Sequence, residues 1–242
     1  MLKYPISTLL YLAKINIKDK IKDALHLKNN LDMRLSITIK DKNGKIIKQH
    51  KQHSHSFLTN FATMLMASMV ESESANFYYF RVTAGTWYSF DVNTDWGIFY
   101  MNDGANDSTY GIVVGTGITP PTPNDYNLEN IISNGTGSGQ LVYGATSISP
   151  KSGTSPLQAG TSEPTTGVLT PSGNTTSFSV SRTFQNQSGS PITVSEVGII
   201  ATLLVYNNIQ GYVLIIHDLL SSAITIPNGG VMAITYTISV TT

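Results

Sequence analysis

Two periodicities run through this chain. Over residues 5–25 and again over 56–69 the apolar positions recur every three or four residues, whereas elsewhere they mostly alternate every second residue. After Pro5, a residue suited to a helix's first turn, Ile6, Leu9, Leu10, Ala13, Ile17, Ile21, Ala24 and Leu25 form one stripe with lysines on the other side. This predicts an amphipathic helical arm over residues 1–30. Its apolar face is expected to pack on its own body or a neighbour, with a lipid surface as the alternative. The second stripe is Phe57, Leu58, Phe61, Met64, Leu65 and Met69. It predicts a helix over 56–69 capped by Ser56.

The remainder, residues 31–242, reads as one β body. Residues 34–40 (RLSITIK) and 45–49 alternate around Asp41-Lys42-Asn43-Gly44, so a hairpin spans 34–50, its Asn-Gly pair accepting the positive φ of a tight turn. Aromatic residues crowd 76–101 (Phe77, Tyr78, Tyr79, Phe80, Trp87, Tyr88, Phe90, Trp96, Phe99 and Tyr100), in strands filling a core or an interface. Residues 102–176 carry seven prolines and long Ser/Thr/Asn runs. They read as a loop-rich insertion with short strands at 110–114 and 140–143 and a long surface loop over 147–176. Over 177–242, strands are expected at 177–184, 192–204, 212–219, 223–226 and 231–240, the last two joined by a turn at Pro227-Asn228-Gly229-Gly230. The fold class is therefore mainly β: an antiparallel β-sandwich, jelly-roll-like, with a basic α-helical arm at the N-terminus and one further short helix.

Composition narrows the chemistry. Of 242 residues, 40% are hydrophobic and 12% charged, about half the ~25% charged share of typical domains. The absence of cysteine excludes disulfides, thiol nucleophiles and thiolate metal sites. A net charge of zero conceals an asymmetry: residues 1–55 hold twelve of the fifteen bases against four acids, a net +8, and the rest is −8. Such an arm suits DNA, an anionic membrane or the acidic body of a neighbouring subunit. No secretory signal is evident, and no apolar run approaches the ~18–20 residues of a spanning helix.

Catalytic motifs are missing. There is no G-x-S-x-G elbow and no Walker loop, and Gly115-Thr116-Gly117 runs into Pro120-Pro121 where a dinucleotide fingerprint would open a helix. His53 and His55 share a side of an extended strand near His50, but no cysteine or neighbouring carboxylate completes a metal site, and polar loop histidines are the simpler reading. Asp91, Asn93 and Asp95 have calcium-loop spacing, yet Gly97 comes one place late and the closing glutamate is missing, so Asx turns serve as well. His217 and Asp218 adjoin on a strand and so face opposite sides. Asn106, Asn134, Asn174 and Asn186 begin N-x-S/T triplets open to glycosylation, although this composition produces such triplets by chance. Glu196, among apolar neighbours, is expected to pair with Arg182 on an adjacent strand and fix its register. Asp125-Tyr126 is expected to pin a loop, with the tyrosine ring buried and its hydroxyl satisfied. No catalytic residue, metal, cofactor or small-molecule substrate is expected.

Three blocks carry a resemblance: YGIVVGTGITPPTPNDYNLENI at 110–131, SRTFQNQSGSPITVSEVGI at 181–199 and LIIHDLLSSAITIPNGGVMAITYTI at 214–238. With SITIKDKNGKIIKQHKQHSHSFLTNF at 36–61, they resemble structural proteins of phages and archaeal viruses. In those, a GTG-x-TPP-x-P-x-DY-x-L block precedes an RTF-x-N-x-SG-x-x-ITV-x-EVG block and a terminal PNG hairpin. The likeness covers most of the chain beyond residue 30, and the Ile/Lys/Asn-rich N-terminal segment is similar in flavour to proteins of thermoacidophilic archaeal viruses. It implies a virion subunit of a capsid, vertex or tail assembly, acting as a homo-oligomer in contact with other virion proteins. A low charge count suits a particle exposed to acid, where ion pairs fail. The alternatives are a cell-surface adhesin or filament subunit joined by strand donation, and a receptor- or carbohydrate-binding module stacking ligands on Trp87 and Trp96.

Overall fold

A computed structural model describes residues 30–54, 56–69, 77–91, 99–101, 103–149, 172–204 and 210–241. The expected arm over 1–30, apart from its last residue, lies outside them, as do His55, Asn93, Asp95, Trp96 and most of the 147–176 loop.

The expected hairpin is present. Strand β1 (Asn30–Lys40) pairs with β2 (Ile46–His53), and the Asp41 carboxylate caps the connection by accepting from the amides of Asn43 and Lys45. The turn is longer than a two-residue one, and only Gly44 takes a positive φ, +79°. On its other side β1 pairs along its whole length with β12 (Val231–Thr241). Next comes β9 (Thr175–Gln185), flanked by the short strands β7 (Val142–Tyr143) and β8 (Ser147–Ser149). In the second sheet β10 (Ile192–Leu204) lies between β11 (Gln210–Ile226) and the pair β5 (Phe99–Tyr100) and β6 (Gly111–Gly115). Strands β3 (Phe77–Arg81) and β4 (Trp87–Asp91) form a separate hairpin, and the helix α1 covers Thr59–Met69. Every pairing between these strands is antiparallel, so the described body is β-sandwich-like with one helix.

Period-two patterning explains the first sheet. Leu35, Ile37 and Ile39 sit opposite Tyr236, Ile234 and Met232, which sit opposite Val180, Arg182 and Phe184. Every one of these side chains is buried, forming three rows across one face. These rows join β10 and β11 in one hydrophobic core with Val194, Ile224 and Ile226. Strand β10 is buried continuously from Glu196 to Thr202, the mark of a strand covered on both faces. One cover is the other sheet. The second includes the loop after β6, whose Leu128 packs so closely on Gly198 that a Cβ there would lie 3.0 Å from it.

Three expectations need correction. Helix α1 starts at Thr59 because residues 56–58 run along the edge of β11: the Leu58 amide donates to the Ile215 carbonyl at 3.1 Å and the His217 amide to Ser56 at 3.2 Å. Ser56 is thus a strand partner and not a cap. The strands expected at 212–219 and 223–226 are one irregular β11, with 220–223 pushed out and held by Gln52, which donates to the Leu219 carbonyl and accepts from the Ser221 amide. The loop-rich segment, expected as an insertion, supplies in its strand β6 a member of the second sheet that is buried at all five positions. Residues 147–149 and 175–176, assigned to a loop, are strand.

Candidate functional site

The polar groups that the fold gathers most tightly lie under the loop over 116–131. Glu196 of β10 and His217 of β11 are diagonal neighbours on one face, since Gly198 pairs with His217 and Glu196 with Leu219. Glu196 is buried. Its Oε1 accepts from the amides of Gly117 and Asn130, each at 2.9 Å, and its Oε2 from the amide of Glu129 and from His217 Nε2, each at 3.0 Å. His217 Nδ1 reaches Asp125 Oδ2 at 2.7 Å, and Asp125 also accepts from the amide and hydroxyl of Thr122. Glu129 ties the start of the loop by accepting from the amides of Ile118 and Thr119. The GTG glycines leave room for this carboxylate. A Cβ at Gly115 would sit 2.3 Å from Glu196 Oε1, and one at Gly117 2.6 Å from it.

Electrostatics make the cluster a closed unit. Burial pushes the Glu196 carboxyl up, but hydrogen bonds from His217 and the three amides outweigh it and hold it below the ordinary range. Burial likewise depresses the His217 imidazole, and its bonds to Glu196 and Asp125 win, raising it. Asp125 ends lowered, its bonds to Thr122 and His217 overcoming its burial. Both ring nitrogens of His217 face carboxylate oxygens, an arrangement that favours the doubly protonated ring. The arrangement locks a loop onto a sheet.

The pairing of Arg182 with Glu196 expected from sequence is not made: Glu196 belongs to the His217 cluster on another layer. Arg182 is wholly buried, inside the sandwich, and meets Asp103 at 3.1 Å. Its remaining donors go to the carbonyls of Gly144, Tyr110, Ile112, Gly104 and Asp107, and its guanidinium lies 4.7 Å from the Tyr143 ring centre. It therefore fastens the 103–112 segment to β9. Burial lifts the Asp103 carboxyl even against the pull of Arg182. A third buried group is Asp218, which accepts from the hydroxyls of Ser54 (2.6 Å) and Tyr236 (2.9 Å). It is raised by burial. His217 and Asp218 face opposite sides of β11, as the strand period requires.

The other sequence candidates are dispersed. His50 bonds Gln52, and His53 meets Asp32 at 3.0 Å, a neighbouring carboxylate that sequence inspection overlooked because it lies on the paired strand. Among the described residues no group of three His, Asp or Glu side chains is placed to hold a metal ion. Of the calcium-loop candidates only Asp91 is described, at the end of β4. Asn106 and Asn174 are exposed. Asn186 is fully buried, donating to the carbonyls of Ser190 and Ile226, so a glycan there is incompatible with the fold. The Asn134 amide is engaged with Tyr143 and Asn106. Asp125 does pin its loop, but the Tyr126 ring is only half-buried, under the Arg81 guanidinium at 4.0 Å.

The Asp125–His217–Glu196 cluster was not assembled from sequence. Its three residues are 92 and 21 positions apart along the chain, and the available signal was that each of the three blocks at 110–131, 181–199 and 214–238 carries just two charged or histidine side chains: Asp125 with Glu129, Arg182 with Glu196, and His217 with Asp218. No family model, curated protein or solved structure matches this chain.

Proposed function

We propose that this chain is a non-enzymatic structural subunit of a virus particle, working by homo-oligomeric assembly and by contacts with other virion proteins. One observation carries the reading: the buried ionisable side chains Asp103, Arg182, Glu196, His217 and Asp218 are all consumed in tying loops to sheets, leaving a cross-tied, low-charge body. Outward it presents large apolar side chains, among them Ile46, Ile47, Leu65 and Met66, each about half exposed, and Ile118 at 74%. The adjacent pairs Ile46–Ile47 on β2 and Leu65–Met66 on α1 are the positions this reading offers to other subunits. The finer fold in this reading is jelly-roll-like, with the pair β9 and β12 in one sheet wrapping the pair β10 and β11 in the other. The basic N-terminal segment, which leads into β1, reaches a neighbouring subunit, the genome or a lipid layer.

Sedimentation and negative-stain imaging of concentrated protein test this directly. Closed rings or larger assemblies are expected, along with the chain itself in purified particles by mass spectrometry. Monomers at every concentration, or turnover of a substrate abolished by one side-chain change, overturn it.

A further inference from the structure

The Glu196–His217–Asp125 lock fixes the 116–131 loop more firmly than a connection between strands requires. That loop walls an open cleft of about 590 Å3 beside the β3–β4 hairpin. We propose that this cleft binds a neutral oligosaccharide.

Directly paired residues of an antiparallel hairpin share a face. Arg81 pairs with Trp87, and Tyr79, two residues earlier, joins them on that face. Trp87 is 57% exposed and Tyr79 61%, far more than a core role allows. On the same face the Arg81 guanidinium is held in place, stacked on Tyr126 and donating through Nε to the Gly85 carbonyl at 3.2 Å. The cleft is lined by Arg81, Asn124, Asp125, Tyr126, Asn127 and Glu129 among others. A smaller depression adjoins it, sharing Arg81, Asn124 and Asp125, with Trp87 as its wall. One exposed aromatic face, that of Trp87, and several hydrogen-bonding groups thus border two adjoining depressions.

A sugar ring offers the complement, an apolar C–H face and a rim of hydroxyls that both donate and accept. The exposed Trp87 indole at the adjoining depression suits the face; the guanidinium, two amides and two carboxylates suit the rim. Charge chooses between ligand classes. One guanidinium against two carboxylates leaves the lining net negative, which disfavours nucleic acid and phosphorylated, sulfated or sialylated glycans. The mostly polar lining disfavours an apolar ligand. The volume lies within the ~300–1,000 Å3 of small-ligand sites, and the locked loop lowers the ordering cost of binding. The site lies within a single chain and stands apart from the assembly reading.

The test is an array of neutral, sialylated and sulfated glycans, followed by calorimetric titration of the best neutral glycan. Wild type, Trp87→Ala, Asn127→Ala and, as a control on β2, Ile46→Ser are compared. Neutral glycans are expected to bind, with affinity about tenfold or more weaker in Trp87→Ala and unchanged in Ile46→Ser. Should Trp87→Ala lose its fold by circular dichroism, Asn127→Ala supplies the same reading. Binding of no neutral glycan, binding confined to acidic glycans or peptides, or binding indifferent to both cleft substitutions overturns the proposal.

Discussion

Replacing Glu196 with glutamine keeps the side chain's size and removes one charge and one acceptor. The amide oxygen still accepts from Gly117 and Asn130, but these bonds lose their charge assistance. The amide nitrogen now faces two donors, the Glu129 amide and His217 Nε2, each at 3.0 Å in the native protein. His217 relieves one conflict by giving up its Nε2 proton, keeping Nδ1–H on Asp125. The Glu129 amide stays orphaned at about 1–3 kcal/mol, and with the weakened bonds the total comes to roughly 3–4 kcal/mol. That is a large share of the ~5–15 kcal/mol that stabilises a typical domain. The cost depends on pH in a defined sense. His217 is raised above 6.5, so its share is fully present below that value and is lost as pH rises through the folded one. Glu196 and Asp125 are lowered from 4.5 and 3.8, so their shares are present above those values and are lost as pH falls through the folded ones. The lock is therefore strongest between 4.5 and 6.5, and the variant's deficit is largest there. Urea unfolding of both proteins across this range measures it, and hydrogen exchange at residues 117, 129 and 130 should accelerate in the variant. A deficit under about 1 kcal/mol near the middle of the window, or one that ignores pH, refutes the reasoning.

Arg182→Lys should cost about 3–5 kcal/mol in chemical denaturation, because an ammonium cannot reach six acceptors spread around a planar fork and leaves Asp103 poorly paired. Gly115→Ala should lower stability by ~1–3 kcal/mol or more through overpacking against Glu196, whereas Gly44→Ala, with open space and a φ of +79°, should cost only about 1 kcal/mol from backbone strain; thermal melts of the pair separate the two causes. Asp218→Asn should be neutral to within about 1 kcal/mol above neutral pH, since the raised carboxyl opposes folding when charged and that penalty fades as pH falls through its folded value. Stability curves against pH that diverge on the alkaline side in favour of the aspartate contradict this.

The strands were legible wherever burial is one-sided. The alternation of Leu35, Ile37 and Ile39, or of Met232, Ile234 and Tyr236, fixes both the strand and its inward face. Strand β6 was legible as a strand, yet its complete burial was not, because the prolines and glycines around it suggest a surface loop. They serve instead to carry the chain around a buried carboxylate. The start of α1 was misjudged since capping preference is local, while the hydrogen bonds that extend 56–58 come from β11, some 160 residues away. Separation along the chain, 79 residues for Arg182–Asp103 and 92 for His217–Asp125, hid the ion pairs as well. Arg182 and Glu196 look like partners in sequence, but they lie in different sheets: Arg182 meets Asp103 of a loop, and Glu196 meets His217 of the adjacent strand β11.

Strand β1 takes its partner β12 from almost the opposite end of the described chain, Asn30 lying across from Thr241. A nascent polypeptide that has made β1 through β11 therefore holds two open edges, on β1 and on β9, which only one late segment can close. Loop closure over some two hundred residues makes that final zippering slow and exposes both edges to neighbouring chains meanwhile. Truncation within residues 231–241 should then yield aggregates in place of a smaller folded protein, and a chaperone present during synthesis should raise the yield of the intact one.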